Sequence, residues 1–257
     1  MRTGVVARAL WTAGFFLGAM QAIANDGVIQ GVARALPGGE IAYRELHTIT
    51  GNSHHVRYTD PEGQLIAEKT LDYRCDQAAP DWQQKDLRSG ERLGGHWNGA
   101  EYVLQRGEST SSIRPEATLV ASSGFDRFVH GHLEQLRRGE TVEFEFALPA
   151  RLTSIGMRIK GTDAPVAGET ADAWFAVEPS SGLFRMFAGV ILLGYDPGGE
   201  LRFYRGPSNI GDGKGGSLTV EIRYEHLADS PELAATPEPA MRAHRNEQDL
   251  RCTRHDA

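Results

Sequence analysis

The sequence predicts a mainly β protein with one or two helices: an open antiparallel β-barrel or a strongly curved sheet packed around a central helix. Three observations support this class. Most of the chain consists of short runs in which apolar and polar residues alternate, the period of a half-buried strand. Turn residues separate these runs, and one amphipathic helix lies mid-chain. Because no repeat or long linker divides the chain, we expect a single domain of about nine to eleven strands.

The first 24 residues, 1–24, predict a secretory signal peptide. Arg2 and Arg8 give a positive start, Ala9 to Met20 is apolar, and Ala22 to Ala24 is a small-x-small cleavage site. The apolar run is short for a membrane span, so we expect cleavage near Ala24 and no transmembrane segment; an uncleaved anchor is the alternative. This predicts a periplasmic or secreted protein whose domain occupies 25–224.

The charge of the mature chain limits its partners. Without the two arginines of the signal peptide, 25 basic residues oppose 34 acidic ones, a formal net charge of −9. So acidic a chain disfavours nucleic acid and anionic membrane surfaces as partners. The partners we expect are a lipid or another apolar small molecule, or a protein of the cell envelope.

The chain contains two cysteines, Cys75 and Cys252. In an oxidising compartment such a pair most economically forms one disulfide, which would pin the C-terminal tail, 225–257, to the domain. Two unbridged thiols are the alternative. Neither cysteine has a CxxC or metal-binding spacing.

The first half of the domain predicts a meander of strands. Apolar residues alternate over 41–49 and, after the turn Asp60 to Gly63, over 65–73. Glu45 and Lys69 interrupt these apolar faces. The two could pair inside an enclosed space, although we expect a solvent-exposed pair at a barrel rim.

A hairpin and the central unit follow. Asn98-Gly99 predicts a hairpin between loops at 78–82 and 108–116. Ser123 followed by Asp126 fits a capping box that begins a helix. This helix ends at Gly139 and leads into a strand, Val142 to Leu148. The apolar faces of this unit carry five candidate ligand-binding residues: Phe125, Phe128, Leu133, Phe144 and Phe146.

The second half of the domain predicts further strands and one ambiguous segment. Strands are expected at 152–159, 171–177, 192–195, 201–205 and 218–224. The segment 181–190 is apolar on nearly every side and is either a short helix over the sheet or the start of a long strand. It contributes three more candidate ligand-binding residues, Leu183, Phe184 and Phe187.

The sequence contains no motif for catalysis, metal binding or cofactor binding. The nine histidines include no HExxH, and Ala121 to Gly124 approaches a nucleophile elbow but is better explained as a helix cap. The glycine-rich stretch 206–216 resembles a phosphate loop only superficially, because Lys214 is not followed by Ser or Thr and a strand follows. We therefore predict no catalytic residue, metal or cofactor, and a binding protein rather than an enzyme.

A family resemblance rests on the second half. Val177-Glu178-Pro179-Ser180, Tyr195-Asp196, Leu201 to Gly206 and Ser208-Asn209-Ile210 resemble exported proteins of Gram-negative bacteria that are distantly similar to the lipoprotein-localisation carriers. The resemblance implies an open antiparallel barrel with helices at its mouth across 40–224. It supplies no ligand-contacting residue, because no lipid-binding position of the carriers can be matched here.

The expected function follows from the apolar surface on the central unit and on 181–190. We expect a periplasmic binding or carrier protein for an apolar ligand, a lipid or acyl chain. The alternatives are a non-catalytic envelope interaction protein with a packed core and, third, a hydrolase whose Ser, His and acid come from distant positions. Whether the interior is empty or filled distinguishes the first two.

Overall fold

The computed structural model describes residues 26–163, 169, 171–181 and 189–227. Three predicted features lie outside these residues: the signal peptide at 1–24, Cys252 with the tail beyond Leu227, and the candidate ligand-binding residues Leu183, Phe184 and Phe187. These features stay predictions. Within the described residues, no helix combines the length and apolar character that crossing a membrane requires.

In the part of the chain that the structure describes, fifteen strands form one sheet. The first nine are β1 Gly27–Ala35, β2 Ile41–Thr50, β3 Ser53–Thr59, β4 Leu65–Asp72, β5 Asp81–Asp86, β6 Arg92–Asn98, β7 Glu101–Arg106, β8 Ser109–Ile113 and β9 Leu119–Val120. After the helix α1, Gly124–Arg137, come β10 Val142–Leu148, β11 Thr153–Gly161, β12 Ala173–Pro179, β13 Ile191–Tyr195, β14 Leu201–Pro207 and β15 Thr219–Leu227. A 3₁₀ turn, Pro149–Arg151, joins β10 to β11.

Two meanders meet in the middle of the sheet. The strand order runs from β8 back to β1, continues through β15, and ends at β10 and β9. Neighbouring strands are antiparallel except β9 and β10. The sheet curls so that its two ends come close together. Nη1 of Arg106 on β7 donates to the carbonyl oxygen of Ala150, 3.0 Å away, in the turn beside β10. The two edges, β8 and β9, are not paired, so the predicted open, barrel-like sheet with one described helix is confirmed.

Four strands differ from the sequence prediction. The sequence predicts loops where β5 begins and where β8 lies, and it predicts no strand at β1 or β9. β5 and β8 are mostly polar, so apolar alternation does not mark them; pairing with neighbouring strands fixes their backbones instead. At the other end of the domain, β15 continues to Leu227, past the predicted boundary at Tyr224.

The start of α1 differs from the predicted capping box. Ser123 is the N-cap residue but makes no side-chain cap hydrogen bond, and its backbone is already helical. Asp126 accepts a hydrogen bond from the hydroxyl of Tyr195 at 3.0 Å, and not from the backbone N–H of Ser123 as a capping box requires. The capping-box prediction is therefore wrong, whereas Gly139 ends the helix with a φ of 82°, as predicted.

The buried side chains form two clusters. One lies under the first meander and is rich in aromatic residues, including Tyr43, Tyr58 and Trp97. The other packs α1 against β10 to β13 through residues such as Phe128 and Phe144. The interior is thus filled in two places, and the site lies between them.

Candidate ligand cavity

A cavity of about 980 Å³ lies between the two clusters, with walls from both meanders and from α1. One part of its lining is apolar: Val28, Ile29, Ile49, Phe125, Phe144, Phe146, Met157, Val177, Ile191, Leu201, Ile222 and Leu227. The polar part includes His47, His54, Tyr73, Asp126, Arg127, His130, Tyr224 and His226. The interior is therefore neither entirely filled nor entirely apolar.

Three of the candidate ligand-binding residues line this cavity: Phe125 of α1 and Phe144 and Phe146 of β10. The ring centroid of Phe125 lies 5.7 Å from that of Phe144 and 6.3 Å from that of Phe146. These separations are typical of tilted and edge-to-face aromatic pairs. The helix and the following strand therefore present one continuous aromatic wall.

Phe128 and Leu133 are placed differently. They are only 3% and 7% exposed, belong to the α1 cluster, and do not line the cavity. The Phe128 ring packs on that of Phe144, with centroids 4.9 Å apart. Less than one full turn of helix thus separates Phe125, which lines the cavity, from Phe128, which belongs to the core.

A chain of hydrogen bonds crosses the polar wall. Tyr224 donates to Oε2 of Glu45 at 3.1 Å, and Nε2 of His47 lies 2.9 Å from the same oxygen. Nδ1 of His47 lies 3.0 Å from Nε2 of His54, whose Nδ1 lies 3.3 Å from the Tyr73 hydroxyl. These residues come from β15, β2, β3 and the end of β4, so the chain ties four parts of the sheet together.

The donors and acceptors in this series of hydrogen bonds follow from Glu45, the carboxylate at its end. A carboxylate only accepts, so His47 donates through Nε2 and a neutral ring must then accept at Nδ1. His54 consequently donates to His47 and accepts from Tyr73. Burial lowers the pKa of His54 well below its usual value, and the electrostatic influence of His47 and Lys69 lowers it further. This keeps the ring neutral.

Glu45 and Lys69 are buried, at 1% and 2% exposure, so the expected solvent-exposed pair at a rim is wrong. Burial lowers the pKa of Lys69 to about 8, against the opposing influence of Glu45. The Lys69 ammonium lies over the rings of Tyr58 and Trp82, 5.8 and 5.7 Å from their centroids. The sheet curls enough to enclose both charges, and aromatic faces replace part of the lost hydration.

The first turns of α1 bring a second polar group to the cavity. The Asp126 side chain is exposed at the cavity, and desolvation by the neighbouring protein raises the pKa of its carboxyl despite the bond from Tyr195. His130 lies one turn further along the same face, and His226 of β15 also lines the cavity. The guanidinium carbon of Arg127 lies 3.5 Å from the Tyr73 ring centroid, and Arg127 also donates to Gln77.

Ser122 is not placed as an activated nucleophile. It lies at the strand-to-helix turn with a φ of 50°, the position of the serine in a nucleophile elbow, but its Oγ is buried and has no hydrogen-bond partner there. A nucleophilic serine needs an adjacent base. Nor does the described part of the chain gather three potential metal ligands in one place.

Sequence reasoning missed the polar wall, although a signal was present. His54 and His55 do point to opposite faces, as predicted: His54 is buried, whereas His55 lies 3.7 Å from the half-exposed Glu68. Glu45, His47 and Lys69 stand at inward positions of their alternating strands. Polar residues at such positions indicate an enclosed polar site, but only the register between strands shows which of them meet.

Comparison with known proteins shows a likeness in structure and none in sequence family. No protein-family model and no curated protein matches the chain. The chain is similar in structure to a β-barrel-like protein of a domain of unknown function, DUF1849, from Brucella abortus. The sequence identity is 11%, the TM-score is 0.44, and the match covers 79% of this chain and 97% of the other.

Proposed function

We propose that this chain is an exported binding or carrier protein that holds a lipid or another acyl-chain ligand in the cavity between its two core clusters. The observation that carries the proposal is the 980 Å³ cavity with its apolar wall. Packed protein interiors contain few voids larger than a water molecule, whereas ligand sites measure about 300–1,000 Å³. Each methylene buried there would contribute about 0.8 kcal/mol to binding.

The proposed location rests on the sequence. The charge pattern and cleavage site of 1–24 support export, and the resemblance to lipoprotein-localisation carriers suggests the periplasm. N-terminal sequencing of protein from the periplasmic fraction is expected to start at Asn25. A mature chain that begins at Met1 and stays in the cytoplasm would contradict export.

Ligand binding is tested by native mass spectrometry and lipid extraction of protein purified from the periplasm. We expect a bound species in the acyl-lipid mass range that the variant Phe146→Glu loses, because Phe146 lines the cavity. Leu87→Glu is the matched control, since Leu87 is 41% exposed and lies away from the cavity lining. Protein without co-purifying lipid, and without affinity for added acyl chains, would favour an envelope interaction protein instead.

A further inference from the structure

We propose that the polar part of the cavity selects amphiphiles with an uncharged, hydroxyl-bearing head over fatty acids of the same chain length. This inference rests on the proposed function and specifies the class of its ligand. It follows from which polar groups of the lining are already engaged, which stay free, and what charge they carry.

The two histidines of the hydrogen-bond chain are engaged. Both ring nitrogens of His47 are used, one toward Glu45 and one toward His54. Both nitrogens of His54 are used as well, toward His47 and Tyr73. The two imidazole rings are therefore part of the cavity wall, and they offer no free donor or acceptor to a ligand.

The free groups are of mixed type. The Oδ1 atom of Asp126 accepts from Tyr195, which leaves Oδ2 as an acceptor toward the cavity. The imidazole of His130 can donate or accept, and the hydroxyl of Ser123, which makes no cap bond, can do both. A hydroxyl group on a ligand both donates and accepts, so it can satisfy all three. A carboxylate only accepts and an ammonium only donates.

The fixed charges of the lining disfavour an anionic head. Of the described residues, the carboxylates Asp26, Asp126 and Glu200 and the guanidinium of Arg127 line the cavity, and the charge of Glu200 is already paired with Arg202. Arg127 is held over Tyr73 and bonded to Gln77, so it is not aimed freely at a ligand. Behind the wall, Glu45 and Lys69 oppose each other and add no net charge. A carboxylate head would thus be placed next to Asp126 without a free cation.

The test compares three probes with twelve-carbon chains: dodecanoate, 1-O-dodecylglycerol and dodecylammonium. Each is titrated at neutral pH, below its micelle concentration, against protein loaded with the neutral dye N-phenyl-1-naphthylamine. We expect the glycerol ether to displace the dye at a concentration about tenfold lower than dodecanoate, the ratio that one or two well-made hydrogen bonds supply. The ammonium probe is expected to be weaker than the glycerol ether.

A charge-neutral variant tests the role of Asp126. Asp126→Asn keeps the shape and an acceptor for Tyr195 but removes the negative charge, so dodecanoate should gain affinity and its disadvantage should shrink severalfold. Glu134→Gln, on the exposed face of the same helix, is the control and should leave the ratio unchanged. Dye binding and circular dichroism report folding of both variants.

The outcomes separate the two proposals. If dodecanoate or the ammonium probe displaces the dye as well as the glycerol ether does, the inference about the head is overturned while the carrier function stands. An unchanged probe ratio in Asp126→Asn would equally overturn the assignment of Asp126. If no probe binds and the dye is not taken up, both the inference and the proposed function fail.

Discussion

Nε2 of His54 lies 3.0 Å from Nδ1 of His47, and this contact links two imidazoles that face the same cavity from adjacent strands. Because His47 is oriented by Glu45, the contact requires a neutral acceptor nitrogen on His47 and a donor on His54. A proton added to His54 would turn the nitrogen that accepts from Tyr73 into a donor, so the Tyr73 hydroxyl would have to reverse its hydrogen bond. The wall of the cavity is thus sensitive to pH.

Acid should destabilise the protein through His54. Its pKa is lowered in the folded state, so as the pH falls below about 6.5 the unfolded chain takes up a proton that the folded protein does not. Stability is fully present above that pH and should decline by about 1.4 kcal/mol per pH unit below it. Denaturant unfolding between pH 7 and pH 5 measures this slope.

The variant His54→Gln should remove most of that slope because it removes the titrating group. His55→Gln is the matched control, since His55 is next in sequence but faces outward and is half-buried. Burial lowers the pKa of His55 as well, so its replacement should reduce the slope slightly. A larger effect at His55 than at His54 would contradict the assignment.

Replacement of Glu45 should destabilise the fold. Glu45→Gln removes the charge that opposes buried Lys69 and leaves only a neutral amide oxygen to accept from His47 and Tyr224, and we expect a loss of about 3 kcal/mol. Combining it with Lys69→Met should recover part of that loss, because no uncompensated charge is then buried. Glu68→Gln, whose side chain is 43% exposed on the outer face, should change stability by less than about 0.5 kcal/mol. Additive effects of Glu45→Gln and Lys69→Met would rule out electrostatic coupling.

Two glycines of α1 should respond oppositely to alanine. A Cβ at Gly124 would lie 2.2 Å from the carbonyl oxygen of Ala78, so Gly124→Ala should destabilise by about 1–3 kcal/mol. A Cβ at Gly131 would meet open space, so Gly131→Ala should stabilise by about 0.5–1 kcal/mol through helix propensity. Urea unfolding of both variants tests the pair, and equal effects would show that the contact with Ala78 does not constrain the helix start.

The predicted disulfide between Cys75 and Cys252 is open to a direct measurement. Protein denatured without reductant should give no reaction with Ellman's reagent, and two thiols after reduction. In the chain-entropy model a loop this long contributes on the order of 4–5 kcal/mol, so reduction should lower the denaturation midpoint. Two reactive thiols before reduction would contradict the bridge.

Local pattern was sufficient to predict the central unit. The strand Val142–Leu148 has the predicted bounds, and α1 lies within the predicted helix, because alternation and helical spacing are properties of neighbouring residues. The hairpin at Asn98-Gly99 is also present, with Gly99 at a φ of 65°. The wall of Phe125, Phe144 and Phe146 could therefore be proposed from sequence.

The polar wall could not be predicted in the same way. His47 and His54 meet because Ile49 of β2 pairs with His54 of β3, a register that turn geometry and the neighbouring strands set together. The burial of Glu45 and Lys69 depends on how far the whole sheet curls, which no local period encodes. That Phe125 lines the cavity whereas Phe128 is buried in the core likewise depends on where the second meander packs against the helix.

The unpaired edges of the sheet have a mechanical consequence. In a closed barrel, the number of strands and their stagger fix the radius. Here β8 and β9 are not hydrogen-bonded to each other, and the contact between Arg106 and Ala150 holds the two ends of the described sheet near one another. The curvature at this seam is therefore held by side-chain contacts and not by a continuous ladder of backbone hydrogen bonds.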